Sequence, residues 1–108
     1  MFESNERVFS ALADTTRRRL LANLAESSPK TATQLAQEFP ITRQGIMKHL
    51  NLLVEAGLVQ SQTQGREKRY SFTPEPLQSV SEWIEAIEAK WDGRLQRLKV
   101  MVEEESFK

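Results

Sequence analysis

The 108-residue chain predicts a mainly α fold with one small β-hairpin, in the order α-α-α-α-β-β-α. Three observations carry that expectation. Two short helical patterns, each opened by a threonine, are separated only by "FPIT". Two polar-rich extended runs follow around a glycine-bearing turn, and an apolar stripe with helical spacing then continues almost to the C-terminus.

The elements follow in order. Val8, Ala11 and Leu12 have helical spacing and give a first helix. Asp14 stands where a second helix needs a side-chain oxygen to accept a first-turn N–H, and Leu20, Leu21, Leu24 and Ala25 form that helix's buried stripe before "SSPK" ends it. Thr31 and Gln34 make a T-x-x-Q capping box, followed by Ala32, Leu35, Ala36 and Phe39 at i, i+3, i+4 and i+7. Pro40 stops this third helix, because the residue before a proline is pushed out of the helical region. Thr42 caps a fourth, which buries Ile46, Leu50, Leu53 and Val54 and ends at Ala56 before Gly57. "LVQSQTQ", "GRE" and "KRYSFT" then read as strand, turn and strand. Pro74 and Pro76 end the second strand, and a helix of roughly 40 Å runs over about 77–105.

Two helices joined by so short a turn form a helix-turn-helix over about 31–56, and a hairpin directly after it, about 58–73, is a wing. Another kind of helical hairpin also fits the turn; the wing is what narrows the choice. The expectation is one winged helix-turn-helix domain over 1–108. So small a domain buries only a modest core alone. The long final stripe exceeds what that body needs and suits a second copy of the chain. The expected dimer contacts are Val8 and Leu12 on the first helix, with Val80, Trp83, Ile84, Ile87, Trp91, Leu95, Leu98 and Val102 on the last. The two tryptophans, roughly on one side, suit packing better than a ligand cage.

Composition narrows the function. The absence of cysteine excludes disulfides, thiolate metal sites and cysteine nucleophiles, and fits a reducing interior. The first residues have neither a basic n-region nor an apolar h-region, and no apolar run approaches the ~20 residues that span a bilayer. A soluble cytoplasmic protein with no membrane partner is expected. No histidine partners a serine or carboxylate in a recognisable motif and no glycine-rich phosphate loop exists, so an enzyme is not expected. Fifteen basic residues balance fifteen acidic ones, but unevenly: 15–72 holds nine basic against four acidic, whereas 73–108 holds five against eight. A positive body suits steering toward phosphate.

Opposite the Ile46/Leu50/Leu53 stripe lie Gln44, Met47, Lys48 and Asn51. Alone, such a face is most simply solvated. Behind a capped helix and a short turn, and beside a wing, it reads as a face for the major groove, where these side chains match base-edge patterns. Thr42 and Arg43 would position the helix N-terminus near a phosphate. For His49, at an edge, packing, backbone bonding and phosphate contact all remain open. Arg66, Lys68 and Arg69 of the wing would meet DNA backbone or minor groove, while Tyr70 and Phe72 anchor the hairpin. Arg17 lies near the buried side; Arg18 and Arg19 face phosphate or water. The expected partner is double-stranded DNA, the alternative being a winged-helix module for protein interaction.

"VFSALADTTRRRLLANLA", "TATQLAQEF", "ITRQGIMKHLNLLVEAGLV" and "GREKRYSFTPEPL", in this order, resemble the ArsR/SmtB family of winged helix-turn-helix transcriptional regulators over nearly the whole chain. The resemblance implies a homodimeric repressor joined through its terminal helices, binding an inverted-repeat operator. Thr15 stands where that family commonly has proline, and Pro40 where it has glycine; neither threatens the fold. Thiol-based sensors of the family carry cysteines where this chain has Thr31 and Thr33, and the other common metal site needs histidines that this last helix lacks. The resemblance therefore implies a branch without a metal or other cofactor.

Overall fold

Capping chemistry sets where the helices begin. The computed structural model describes residues 2–106, with side chains described for 5–104. Its elements are α1 (Phe2–Leu12), α2 (Thr15–Glu26), β1 (Lys30–Thr31), α3 (Ala32–Glu38), α4 (Arg43–Glu55), β2 (Val59–Gln64), β3 (Glu67–Phe72) and α5 (Glu75–Ser106). The Arg17 N–H donates to Asp14 Oδ2 at 3.0 Å. At α3 both halves of the capping box form: Gln34 N–H donates to Thr31 Oγ1 at 3.1 Å, and Thr31 N–H to Gln34 Oε1 at 2.8 Å. Gly45 N–H donates to Thr42 Oγ1 at 3.1 Å, opening α4.

The end of α4 is a Schellman turn. Leu58 N–H reaches Leu53 O at 3.0 Å and Gly57 N–H reaches Val54 O at 2.9 Å, which requires Gly57 at φ +77°. The chain reverses there into the hairpin. β2 and β3 pair antiparallel from Val59↔Phe72 to Gln64↔Glu67, leaving Gly65 and Arg66 as a two-residue turn with only Gly65 at positive φ. β1 adds to the other edge of β3, giving the order β1-β3-β2.

The chain divides into two units, Met1–Gln78 and Ser79–Lys108. In the first, Leu20, Leu24, Leu35, Ile46, Leu50, Leu53 and Leu58 are wholly inaccessible, and Tyr70 of β3 is 1% exposed, anchoring the hairpin to the core. No polar or charged residue is buried among the described ones. The second unit is the rest of α5, where Val80 is buried while Trp83, Ile84, Ile87, Trp91, Leu95, Leu98 and Val102 stay 38–58% exposed. Among the described residues, no helix is long and apolar enough to cross a membrane.

The structure departs from expectation in several places, one being Val54, expected to be buried on α4 but only half-buried. Ala25 is exposed, because it lies 100° round the helix from Leu24 and outside the stripe centred on Leu20 and Leu24. β1 was not foreseen: two residues make a strand only because β3 offers them a partner. α5 begins at Glu75, so Pro76 opens a helix rather than ending a strand; a first-turn residue has no N–H obligation to lose.

Candidate nucleic-acid interface

α4 presents three sides, about 100° of rotation per residue setting which is which. Ile46, Leu50 and Leu53 are buried. Thr42, Arg43, Gln44, Lys48 and Asn51 are exposed, and Met47 and His49 are half-buried at the two edges. Among the described residues, no intramolecular hydrogen bond or ion pair holds the side chains of Arg43, Gln44, Lys48 or Asn51. Thr42 satisfies only the Gly45 N–H, so the N–H groups of Arg43 and Gln44 lack a helical acceptor at the partly positive end of α4.

One edge faces the hairpin. Arg43 and Met47 line a cleft of about 520 Å³ together with Arg66, Lys68, Arg69 and the start of α3. Four cations and one carboxylate, Glu67, border this space, which concentrates positive potential there. The strand's alternation divides the wing's charges. Arg69 pairs with Glu67 at 3.1 Å on one face of β3. Lys68 lies on the other, its Nζ 5.9 Å from the Tyr70 ring centroid. Arg66, in the turn, is exposed. Gln34, read from sequence only as half of a cap, also lines the cleft.

The opposite edge faces the start of α2. His49 Nδ1 lies 3.9 Å from Asp14 Oδ2 and, though hidden from solvent, has no hydrogen-bond partner among the described residues. The Asp14 carboxyl is held below its ordinary range, chiefly by the Arg17 N–H that it accepts and further by the charges of Arg17 and His49. Gln44, Lys48 and Asn51 lie between the two edges.

Three other cations in the basic stretch, Arg17, Arg18 and Lys30, have partners, while Arg19 is exposed on α2. Arg17 donates from Nε to Ala11 O at 2.8 Å and from Nη2 to Ser10 O at 3.1 Å, and Arg18 Nη1 donates to Leu12 O. Both guanidinium groups thus satisfy the last carbonyls of α1, which carry its negative dipole end. Lys30 is bound to Glu38 at 3.0 Å and to Asn23 at 2.7 Å. Among the described residues, the cations without a carboxylate partner therefore include Arg43, Arg66 and Lys68 of the cleft and Lys48 on the outer face of α4, with Arg18 and Arg19 exposed on α2.

Gly45 was missed from sequence. A Cβ there would stand 2.7 Å from Ile41 Cγ2, so the glycine lets Ile41 fold over the first turn of α4. A glycine three residues after a capping threonine is the available signal. Of the expected dimer contacts, Val8 is 1% exposed and already used by the core of its own chain, and Leu12 is half-buried. Among the described residues, no group of three or more His, Cys, Asp or Glu side chains is placed to hold a metal ion.

Comparison with known proteins agrees with this geometry. Residues 12–62 match a family model described as a helix-turn-helix domain. The HTH-type transcriptional regulator YuzN of Bacillus subtilis (strain 168) is 38% identical across 76% of this chain and 97% of its own. The transcriptional repressor SdpR of the same organism is 34% identical across 71% of this chain and 84% of its own. An ArsR-like transcriptional regulator from Rhodococcus sp. RHA1 superposes with a TM-score of 0.84 at 39% identity, covering 94% of this chain and 93% of that one. With a capped helix after a short turn, a basic hairpin and relatives of this length and identity, the chain belongs to the ArsR family of DNA-binding helix-turn-helix transcriptional regulators.

Proposed function

We propose that the protein is a cytoplasmic homodimeric repressor of an inverted-repeat operator, needs no metal, and acts through 1–108 as one functional domain. The observation that carries this reading is the outer face of α4, where the side chains of Arg43, Gln44, Lys48 and Asn51 have no hydrogen-bond or ion-pair partner among the described residues. Gln44 and Lys48, one turn apart, address neighbouring base pairs; Thr42 and Arg43 set the depth of the helix against phosphate; Met47 and Asn51 complete the contact surface. Arg66, Lys68 and Arg69 bind backbone or minor groove, without sequence preference of their own. Repression is supported by the likeness to SdpR, which is named a repressor.

The dimer reading is supported by α5. At 32 residues it is about 48 Å long, and its stripe from Trp83 to Val102 is exposed in the single chain. A two-fold pair would bury that stripe and repeat α4 symmetrically along DNA. The metal-free reading is supported by donor chemistry: the sequence has no thiolate and one imidazole, and the Thr31 hydroxyl is engaged with the Gln34 N–H. Selection from a random DNA pool, with sedimentation of the protein at micromolar concentration, tests the whole. The expected result is a dimer that enriches two half-sites in inverted repeat; a monomer, or a pool without enrichment, would contradict it.

A further inference from the structure

The contact between α4 and the start of α2 joins the reading helix to a carboxylate that already has another duty. Asp14 Oδ2 accepts the Arg17 N–H that opens α2, and the same oxygen lies 3.9 Å from His49 Nδ1. That nitrogen is shielded from water and unsatisfied, an arrangement that a buried polar atom rarely keeps without a role. His49 follows Lys48 directly, and the two sit on adjoining sides of α4. The separation is too long for a hydrogen bond but short enough for attraction once the imidazole is charged.

We propose that Asp14 positions α4 through His49, and that protonation of His49 strengthens DNA binding by fixing the helix against α2 rather than by touching phosphate. The proposal rests on the reading of α4 as the helix that enters the groove. The buried Ile46, Leu50 and Leu53 keep α4 seated in either state. A neutral imidazole leaves only the His49–Asp14 tie unmade, and a charged one closes on the carboxylate and holds the outer face of α4 more tightly against α2.

The surroundings leave Asp14 as the partner. From α2, the Arg17 guanidinium is turned to the Ala11 and Ser10 carbonyls and Arg18 to Leu12 O. From α1, Arg7 lines a separate cleft with Glu55, and Glu6 forms no ion pair with His49. In α3, Glu38 is bound to Lys30, and β2 has no charged residue. Lys48 on α4 itself is exposed.

The sequence makes the test clean. It contains one histidine and no cysteine, so any histidine-linked change between pH 8 and pH 6 has a single source. Affinity for a selected duplex is measured over that range at fixed ionic strength for the wild type, Asp14→Ser and His49→Gln, with thermal melts to check folding. Serine retains a good N-cap for α2 while removing the carboxylate. The wild type is expected to tighten about threefold toward pH 6, the scale of a partly exposed ion pair, and both variants to lose that rise. If Asp14→Ser keeps the rise, the imidazole acts on DNA directly and the proposal falls; it falls equally if the wild type and His49→Gln run parallel. Imidazole proton resonances of the free protein at pH 6 give a readout independent of DNA. Asp14→Ser should shift them, and unchanged resonances would reject the contact. Should the wild type select no DNA sequence while those resonances do respond, the contact stands and the groove reading is what fails.

Discussion

α4 and α5 carry the same kind of apolar stripe, and it meets opposite fates. In α4, Ile46, Leu50 and Leu53 are wholly inaccessible, so what the helix shows outward is polar. In α5, Trp91, Leu95 and Leu98 have the same three- and four-residue spacing, yet each is 56% exposed. Helical period therefore predicts that a face will be buried, not by which chain. For α4 the neighbours are elements of its own fold, and its uncovered side is free to be read as a binding surface. For α5 the apolar side itself is left exposed, and it is the surface that the proposed second copy would cover.

That contrast is broken most forcefully by truncating one leucine on each helix. Leu50→Ala should lower unfolding free energy by about 2–5 kcal/mol, since it leaves a cavity that the packed core fills poorly. Leu98→Ala should change the stability of the dissociated chain by well under about 1 kcal/mol, because little of that side chain is buried before association. Urea unfolding at two protein concentrations separates them. The Leu50→Ala loss is expected at both concentrations, and the Leu98→Ala loss only at the higher one. Equal losses at both concentrations would mean that the α5 stripe is covered within its own chain.

A smaller effect sharpens the picture of the first unit. The Asp14 carboxyl is lowered chiefly by the Arg17 N–H, and the Glu38 carboxyl chiefly by its hydrogen bond from Lys30, then by that from Asn23. Folded-state values below the unfolded ones of 3.8 and 4.5 mean that both groups stabilise fully at neutral pH. That contribution is lost as pH falls through the folded-state values. Urea midpoints from pH 6 down to pH 3 should decline less steeply in an Asp14→Asn, Glu38→Gln double variant than in the wild type. Parallel declines would show that these carboxylates do not govern the acid response.

How much of this was legible in the sequence follows from how local each signal is. The caps at Asp14, Thr31 and Thr42 lie within three residues of the N–H groups they satisfy, and all three were readable. Gly57 and Gly65 mark the two reversals because each adopts positive φ. β1 was not readable, since Lys30 and Thr31 become a strand only beside Tyr70 and Arg69. The outer face of α4 was legible as a list of residues. Its division into a hairpin-facing edge at Arg43 and Met47 and an α2-facing edge at His49 depends on packing between elements distant in sequence. The same holds for Arg17 and Arg18, whose guanidinium groups are turned onto the α1 carbonyls.

In the proposed reading the outer face of α4 and the wing meet DNA differently, and one paired measurement tests this most directly. Sites selected by the wild type, Gln44→Ala and Arg66→Ala are compared, with affinities followed over a range of salt concentration and folding checked by thermal melts. Gln44→Ala should relax preference at one position in each half-site by roughly 1–3 kcal/mol, the value of a bidentate contact to a base. Arg66→Ala should weaken binding to all sequences alike and flatten the salt slope by about one unit, as loss of one phosphate contact requires. A folded Gln44→Ala protein that selects the wild-type site with undiminished discrimination would contradict base reading by α4 and move the specificity to the wing or to DNA shape.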